Sequence, residues 1–460
     1  MADIGVATTA IPGLLIVRLA VHGDQRGWFK ENWQRRKMVA AGLPDFHPVQ
    51  NNMSYNAEAG VTRGIHAEPW DKLVSTATGR VFGAWVDLRQ GPGYGTAVWA
   101  DIGPDTAVFV PAGVGNAYQA LEPGTSYSYL VNDHWSAAAT DRYTYCNLAD
   151  PRLAIPWPIP LEQATVSAAD LRHPALAEVT PVPPGRVIIL GAGGQVARAL
   201  QRSFPSAQAL TRAELDIASA ESLESFDFSG VETIINAAGW THVDAAEATE
   251  NRAVCWAANA EGPAHLAAIA DAHRATLVHY SSDYVFDGTQ PLHDELEPPR
   301  PLSFYGASKA AGDAAAHRCR RHLVLRTSWV VGDGHNFVGT MAGLAARGVS
   351  PAVVDDQIGR LSFTDDIAAA TAHLIATGAA CGTYNVSSDG DPMTWYDIAR
   401  EVYSIVGSTG QVTRSTTAEF AAGKAMAPRP RHSTLSLGKL LATGFRPTSD
   451  VPSKLREVLS

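Results

Sequence analysis

Tyr305 and Lys309 stand four residues apart in Tyr-Gly-Ala-Ser-Lys, and at helical spacing the two side chains share one face. Upstream, Ser281-Ser282 closes an apolar, strand-like run. A phenol, an ammonium and a hydroxyl of this kind suit reduction of a carbonyl. The phenol supplies a proton to the developing alkoxide, the cation lowers the phenol's pKa, and the Ser282 hydroxyl holds the oxygen. Such chemistry needs a hydride source, and Gly191-Ala192-Gly193-Gly194-Gln195-Val196-Ala197 offers a dinucleotide site. It follows the apolar run Arg186 to Leu190 and opens a helix predicted over 195–203. Gly191 makes the tight turn, Gly194 lets backbone approach a pyrophosphate, and Ala197 allows close helix packing, with the phosphates at the helix N-terminus. Singly, each pattern is commonplace. Their order along one strand–helix alternation is what carries the reading.

An NADH-selective site places an acid about 20 residues beyond the glycine turn. This chain reads Ala209-Leu210-Thr211-Arg212 there, and Arg212 suits a 2′-phosphate. NADPH is expected, with NADH also admitted.

A second constellation lies in the first half of the chain. His66 ends Arg63-Gly64-Ile65-His66, and Lys72 follows shortly after. A lone histidine is usually a packed or exposed side chain. Here Asp24 to Glu31 and Gln50 to Ser54 add polar and cationic groups suited to a diphosphate and a base. His66 has no His-x-His partner, so no metal is expected there.

The elements that must position these groups fall into two textures. Before residue 171, short apolar stretches (Gly79 to Leu88, Thr106 to Pro111, Tyr127 to Val131) alternate with Gly, Pro and Asp turns, which predicts an all-β barrel or jelly roll. After residue 185, runs such as Thr233 to Ala237, Thr276 to Ser281 and Leu323 to Thr327 alternate with Ala-rich segments such as Ala257 to Ala272, which predicts a doubly wound parallel sheet. Leu171 to Gly185, with four prolines, reads as the linker. At 460 residues the chain exceeds a single core, and two domains are expected. A net charge of −10 gives no global basic field for nucleic acid. The run Ile11 to Val21 is broken by Arg18 and lacks a basic flank, so neither a membrane span nor a signal peptide is expected, and the reading is cytoplasmic. Four dispersed cysteines, Cys146, Cys255, Cys319 and Cys381, point to buried thiols rather than a disulfide or zinc framework.

The second half resembles the extended short-chain dehydrogenase/reductases, and within them the dTDP-4-dehydrorhamnose reductases. The resemblance rests on the glycine turn, Glu214-Leu215-Asp216-Ile217, Asn236-Ala237-Ala238, Ser281 to Gly288 (Ser-Ser-Asp-Tyr-Val-Phe-Asp-Gly), Tyr305 to Lys309, Arg326 to Trp329, Asp356 to Gly359, and Arg429-Pro430 with Ser433. It implies Ser282, Tyr305 and Lys309 as the catalytic set. The cofactor set would be Gly191, Gly193, Gly194, Gln195, Val196, Arg212, Asp216, Ile217, Asn236, Ala237 and Ala238 together with Tyr305 and Lys309. Trp329 and Arg429 would meet the nucleotide-sugar. A magnesium ion in this half is admitted by resemblance, with no ligands assigned.

The first half resembles the dTDP-4-dehydrorhamnose 3,5-epimerases, a cupin-like jelly-roll family. Beyond the groups around His66, the resemblance rests on Val86 to Arg89, Phe109-Val110-Pro111, Asp150-Pro151, Trp157-Pro158, and Ser167 with Asp170. It implies His66 as a base that removes protons beside a C4 ketone, Asp170 as its orienting carboxylate and Lys72 as the enolate stabiliser. Arg26, Phe29, Glu31, Gln50, Asn52 and Arg63 would hold the nucleotide-sugar. The chain departs from this family where a second histidine is usual (Asn116), where a tyrosine acid is usual (Asn132 to Ser136, with His134 and Trp135), and at Ala67-Glu68 after the base. Three outcomes stay open for the barrel: epimerisation at both carbons with a substitute acid, epimerisation at one, or binding without turnover.

The expectation is thus a jelly-roll epimerase-like domain over 1–180, a linker ending at 181–185, and a Rossmann-type reductase with a small substrate-binding lobe over 186–460. Acting on a dTDP-sugar, it would epimerise and then reduce with NAD(P)H. Both families suggest a homodimer.

Overall fold

Short runs rich in Val, Ile, Thr and aromatic residues, punctuated by Gly, Pro and Asp, suit pleated, half-buried strands. In the first part of the chain they fold as β1 (Gly5–Thr8), β2 (Leu15–Arg18), β3 (Val21–Asp24), β4 (Gly27–Lys30), β5 (Gln50–Asn56), β6 (Val61–Ala67), β7 (Lys72–Thr78), β8 (Val81–Asp87), β9 (Ala97–Ile102), β10 (Thr106–Val110), β11 (Val114–Ala120), β12 (Thr125–Val131), β13 (Thr144–Tyr145) and β14 (Thr165–Val166). The computed structural model describes residues 4–460. It divides into two units, Met1–Pro184 and Gly185–Ser460.

The first unit is a sandwich of two sheets, β1-β2-β10-β7-β12-β5 and β13-β6-β11-β8-β9, with β14 added parallel to β6. Its inner layer packs Val74, Val108 and Tyr127 from one sheet against Trp85, Val114 and Tyr118 from the other. The Tyr118 and Tyr127 rings stack at 4.1 Å. The outer face of the first sheet is covered by Met38, Leu43 and Phe46, and that of the second by Leu148, Leu153, Leu176 and Val179. Each fully buried side chain of this size contributes about 1.5–3 kcal/mol. Gly64 is at φ +122°, and a Cβ there would lie 2.5 Å from that of Ala117, so only glycine brings β6 this close to β11 beside His66.

The stretch 171–185 is not a free linker. Leu176 and Val179 are buried in the outer layer, and Val182 bridges Arg89. Its prolines stop strand formation without preventing packing.

The second unit carries β15 (Arg186–Leu190), β16 (Gln208–Leu210), β17 (Val231–Asn236), β18 (Thr276–Ser282), β19 (His322–Thr327) and the strand Gly382–Val386. They form one sheet in the order β16-β15-β17-β18-β19 and then Gly382–Val386, every pair parallel. Both faces are buried, by separate clusters built on Ile188 and Ile234 and on Ile189 and Ile235, as the unbroken apolar runs require. The chain leaves β15 to one side for β16 and to the other for β17, which places a switch-point crevice beyond the ends of β15 and β17. The helix expected over 257–272 is interrupted. Thr249–Trp256 and Gly262–His273 are α-helical, with a π-helical turn Ala257–Glu261 between them. Pro263 cannot donate to the helical ladder, and Asn259 in that turn is buried and bonded to the Trp240 backbone and Ser308. A smaller lobe packs Val338, Met341, Ile398 and Val402 with partly buried Trp329 and Trp395. Among the described residues no helix is long and apolar enough to cross a membrane.

Candidate active sites

In the sandwich, His66 sits on β6 in register with Asn116 of β11 and Tyr145 of β13, so the three share a face. Its Nε2 lies 2.9 Å from Asp170 Oδ1, and the Gly64 N–H donates to Asp170 Oδ2 at 3.4 Å. Burial alone would raise the Asp170 carboxyl. The His66 hydrogen bond and charge, with the Gly64 N–H, more than offset it and hold the pKa below the ordinary value. Asn116 is not a substitute base: its Oδ1 accepts from Trp85 Nε1 at 2.9 Å and from the Tyr127 hydroxyl at 3.1 Å, tying the two sheets together.

The opposite sheet supplies the cation. Lys72 pairs with Val131 and Val74 with Tyr129 across β7 and β12. Strand alternation therefore sends Lys72, Val74, Tyr127 and Tyr129 toward the His66 sheet. Lys72 is 3% exposed, and its Nζ lies 2.7 Å from Glu68 Oε1; Trp70 Nε1 donates to Glu68 Oε2 at 2.5 Å. The Tyr129 hydroxyl is pushed up to about 12 by burial and by the charge of Glu68, which keeps it protonated. A histidine on one sheet thus faces a cation and a protonated phenol on the other. This is the arrangement needed to take a proton from one side of a carbon and return one to the opposite side.

Three groups here escaped the sequence reading. Tyr129 lies in a run recognised as a strand, but only its register shows which way it points. Glu68 stands in the sequence as a departure from the family, and only the fold makes it the partner of Lys72. His173 follows Asp170 in a single turn, with its Nε2 3.8 Å from Asp170 Oδ1 and its ring stacked at 4.7 Å on Tyr145. His66 therefore does have a histidine neighbour, brought by folding from 107 positions away, and His66, Asp170 and His173 form a group whose ligand atoms lie within 4.8 Å of one another. His134 and Trp135 lie beyond the end of β12 and are exposed, so strand alternation does not govern them; the Trp135 N–H donates to Gln50 Oε1 at 3.1 Å.

The expected nucleotide-sugar residues are only partly gathered. Arg63 lies on β6, and Gln50 and Asn52, on β5, bond each other at 2.6 Å. Arg26, Phe29 and Glu31 lie in or just after a separate hairpin. Arg26 and Phe29 belong to the β3–β4 hairpin, a separate two-stranded sheet. Lys30 tethers it to the Thr76 carbonyl at 2.8 Å, four residues along β7 from Lys72. Arg26 is bonded to Asp24 and Glu31 to Lys37, because these exposed side chains find nearer partners.

In the second unit, Gly191 is at φ +80°, and a Cβ there would lie 2.8 Å from the Ala238 backbone. The turn after β15 is thereby pressed against Asn236-Ala237-Ala238 at the end of β17. Gly194 caps the helix Gln195–Ser203 with no side-chain hydrogen bond, leaving the N-terminal N–H groups available, and Ala197 is fully buried against the sheet. Gly193 has open space around it, Val196 is half-buried, and Gln195 Nε2 donates to the His335 carbonyl at 2.9 Å. Asn236 is buried and bonded to His279 at 3.2 Å. Two of the expected cofactor residues are engaged with protein. Arg212 is paired with Asp216 at 2.9 Å, four residues further along the chain. Ile217 is 4% exposed in the core, where Gly262 makes room for it, so its side chain faces protein.

Ser282 ends β18 and Tyr305 and Lys309 lie on the helix Phe304–Ala316, which approaches closely because a Cβ on Gly306 would meet the Tyr284 carbonyl at 2.2 Å. Lys309 donates to the Tyr280 carbonyl at 2.5 Å, and burial lowers its pKa to about 8. The expected lowering of the Tyr305 pKa is not found. Burial, with the neighbouring Asp283 and Tyr284, raises it well above 10, so Tyr305 is held as the proton-bearing acid. Three distant segments converge beside this set. The Arg431 carbonyl accepts from the Ile358 N–H at 2.8 Å, the Ser433 N–H donates to the Ile358 carbonyl at 2.7 Å, and the His432 N–H reaches the Gly288 carbonyl at 3.3 Å. Arg429 pairs with Asp244 at 3.0 Å, and Trp329, at φ +45°, stacks on Trp395 at 3.8 Å. Gln357 accepts from Trp395 Nε1 at 3.1 Å.

Fold and sites together define a two-domain enzyme: a β-sandwich with a histidine–aspartate pair joined to a short-chain-type reductase. The chain belongs to the family described as RmlD substrate binding domain, which it matches over residues 185–460. Residues 8–178 match the family dTDP-4-dehydrorhamnose 3,5-epimerase, so the chain is a fusion of the two. Similar to the first part is the protein RmlC homolog of Streptococcus pyogenes serotype M6, 48% identical over 179 residues, 38% of this chain and 90% of that protein. Similar to the second is a dTDP-4-dehydrorhamnose reductase of Streptomyces griseus, 34% identical over 283 residues, 58% of this chain and 91% of that protein. Among solved structures, the dTDP-4-dehydrorhamnose reductase of Bacillus anthracis in complex with NADP superposes with a TM-score of 0.55 at 32% identity, covering 60% of this chain and 98% of that one.

Proposed function

We propose that the chain converts dTDP-4-dehydro-6-deoxy-D-glucose to dTDP-L-rhamnose, epimerising C3 and C5 in the sandwich and reducing C4 in the second domain. The observation that carries this is the pairing, in one chain, of the His66–Asp170 dyad opposite Lys72 and Tyr129 with the Ser282, Tyr305 and Lys309 set.

In the epimerisation, Asp170 fixes the His66 ring through Nε2, leaving Nδ1 to remove the proton beside the C4 ketone. The resulting enolate oxygen is stabilised by the Lys72 ammonium, which Glu68 holds in place. Tyr129 returns a proton from the opposite sheet. In the reduction, Tyr305 gives its proton to the C4 oxygen, and Lys309 lends positive charge beneath it. The uncapped N-terminus of Gln195–Ser203 and the glycine turn pressed on Ala238 fit a dinucleotide pyrophosphate. Gly191, Gly193, Gly194 and Asn236 to Ala238 would hold a nicotinamide dinucleotide, which would supply the hydride, and Arg212 would meet its 2′-phosphate. Among the described residues no group of three His, Cys, Asp or Glu ligands lies wholly within this unit, and no step is assigned to magnesium. Exposed Trp28, Phe29, Met53 and Tyr55, on the hairpin and the edge strand β5, are consistent with a homodimer.

Fusion keeps the second site at high effective concentration for the product of the first. The test supplies the ketosugar with and without a separate epimerase while NADPH oxidation is followed. Oxidation independent of the added epimerase supports the bifunctional reading; strict dependence on it assigns the sandwich a binding role only.

A further inference from the structure

Asp283 is a carboxyl next to the reductase serine that the reduction as described leaves without a role. It is 2% exposed. Its Oδ1 accepts the Ser282 hydroxyl at 2.8 Å, while its Oδ2 is buried without a hydrogen-bond partner among the described residues. No cation is paired with it there. Tyr284 and Tyr305 lie beside it with raised pKa values, Ser433 approaches it, and His293 faces it with Nδ1 committed to Glu297 at 2.8 Å and Nε2 to the His432 carbonyl at 3.1 Å. Arg429, beyond Tyr284, is taken by Asp244, and Lys309 points to the Tyr280 carbonyl.

The hydroxyl of Ser282 has one proton and two lone pairs. One lone pair accepts the Tyr284 N–H at 3.2 Å. When Asp283 is ionised, the single Ser282 proton is committed to it, and none is left for a ketone oxygen. When Asp283 is neutral, its own O–H donates to the second lone pair of Ser282, and the serine proton is released toward the substrate. A neutral Asp283 also removes a negative charge from beside the oxygen on which negative charge develops.

We propose that Asp283 is a positioning residue of the reductase that works as the neutral acid, its O–H turning the Ser282 hydroxyl into a donor to the C4 oxygen, and that its ionisation turns that hydroxyl away. The inference rests on the reductase reading. No bond beyond hydrogen bonds changes at Asp283, and the proton delivered to the sugar remains that of Tyr305. Burial is the largest influence on the carboxyl, raising it to about 6 against the opposing influence of the nearby Ser433 and Ser282 hydroxyls and the His293 charge. The sign follows directly: donor competence is complete below that value and is lost as pH rises through it.

The test is single-turnover NADPH oxidation with epimerised ketosugar across pH, in wild type, Asp283→Asn and Ser282→Ala. Above the titration the wild-type rate should fall by about tenfold per pH unit. In Asp283→Asn the side-chain amide donates to Ser282 at every pH, so that limb should vanish, and near pH 8 the variant should exceed wild type by about tenfold or more. Ser282→Ala should be slow and also lack the limb, because Asp283 acts through the serine. A folded, cofactor-binding Asp283→Asn that keeps the limb, or is inactive at every pH, overturns the proposal, as does a limb that survives in Ser282→Ala. Infrared titration of the protein keeps the two failures distinct. The band of a protonated buried carboxyl should disappear as pH rises through the limb and be absent in Asp283→Asn, whereas wild type that oxidises no NADPH at any pH would contradict the reductase reading itself.

Discussion

The two catalytic centres treat buried charge in opposite ways. In the sandwich, Asp170 keeps its charge because His66 and the Gly64 N–H compensate it, and buried Lys72 has Glu68 at 2.7 Å. In the reductase, Asp283 has no salt-bridge partner among the described residues, and burial outweighs the more distant His293 and pushes it toward neutrality, Tyr305 is held protonated, and the pKa of Lys309 is lowered. The difference follows from the reactions. Removing a carbon-bound proton requires a basic nitrogen steadied by a carboxylate and a cation ready for the enolate. Hydride reduction requires a proton to be present on the enzyme before the alkoxide forms, which burial that outweighs the opposing influences secures.

Substitutions that separate the two centres should therefore have opposite readouts. The largest effect is expected from Tyr305→Phe: C4 reduction should fall by about 10²–10⁴-fold, with deuterium exchange at C3 and C5 unaffected, as checked by NADPH oxidation and NMR on the same preparation. The mirror variant is His66→Asn, which should lower exchange by about 10²–10⁴-fold while reduction of pre-epimerised sugar continues; equal loss of both activities would dissolve the comparison. Tyr129→Phe sharpens it further. With the opposite-face acid gone, His66 can only return a proton to the side it came from, so deuterium should enter with configuration retained; inversion at the wild-type rate would remove Tyr129 from the mechanism. Trp85→Ala, which empties the sandwich core and unties Asn116, should cost about 3–5 kcal/mol in denaturant unfolding of the sandwich. The smallest effect is expected at the exposed Arg212. Arg212→Ala should weaken NADPH binding by about tenfold, as for a lost hydrogen bond to a charged group, leave NADH binding unchanged in fluorescence titration, and cost little stability, because its pair with Asp216 is exposed.

Much of this architecture was legible before folding. Arg186 to Leu190 ends where the strand ends, and the glycine turn, Ser282 and the Tyr305–Lys309 spacing fall where a parallel sheet must place them. What was illegible depends on facing and burial. Tyr127 to Val131 is plainly a strand, but the register that turns Tyr129 inward is set by β7. His173 meets His66 only through long-range packing. The Tyr305–Lys309 spacing shows a helical neighbour but not the desolvation that raises Tyr305. The prolines of 171–185 suggested a linker, whereas Leu176 and Val179 among them had a hydrophobic layer to complete. The Arg26–Glu31 segment carries residues of the right chemistry, yet its hairpin forms a sheet of its own, and Arg26 and Glu31 take nearby partners.

The most direct test incubates the intact protein with dTDP-4-dehydro-6-deoxyglucose in deuterated water, with and without NADPH, and follows C3 and C5 by NMR. The account predicts deuterium at both carbons without cofactor, and dTDP-rhamnose once NADPH is added. Absence of exchange at both carbons, with reduction appearing only after a separate epimerase is supplied, would contradict it.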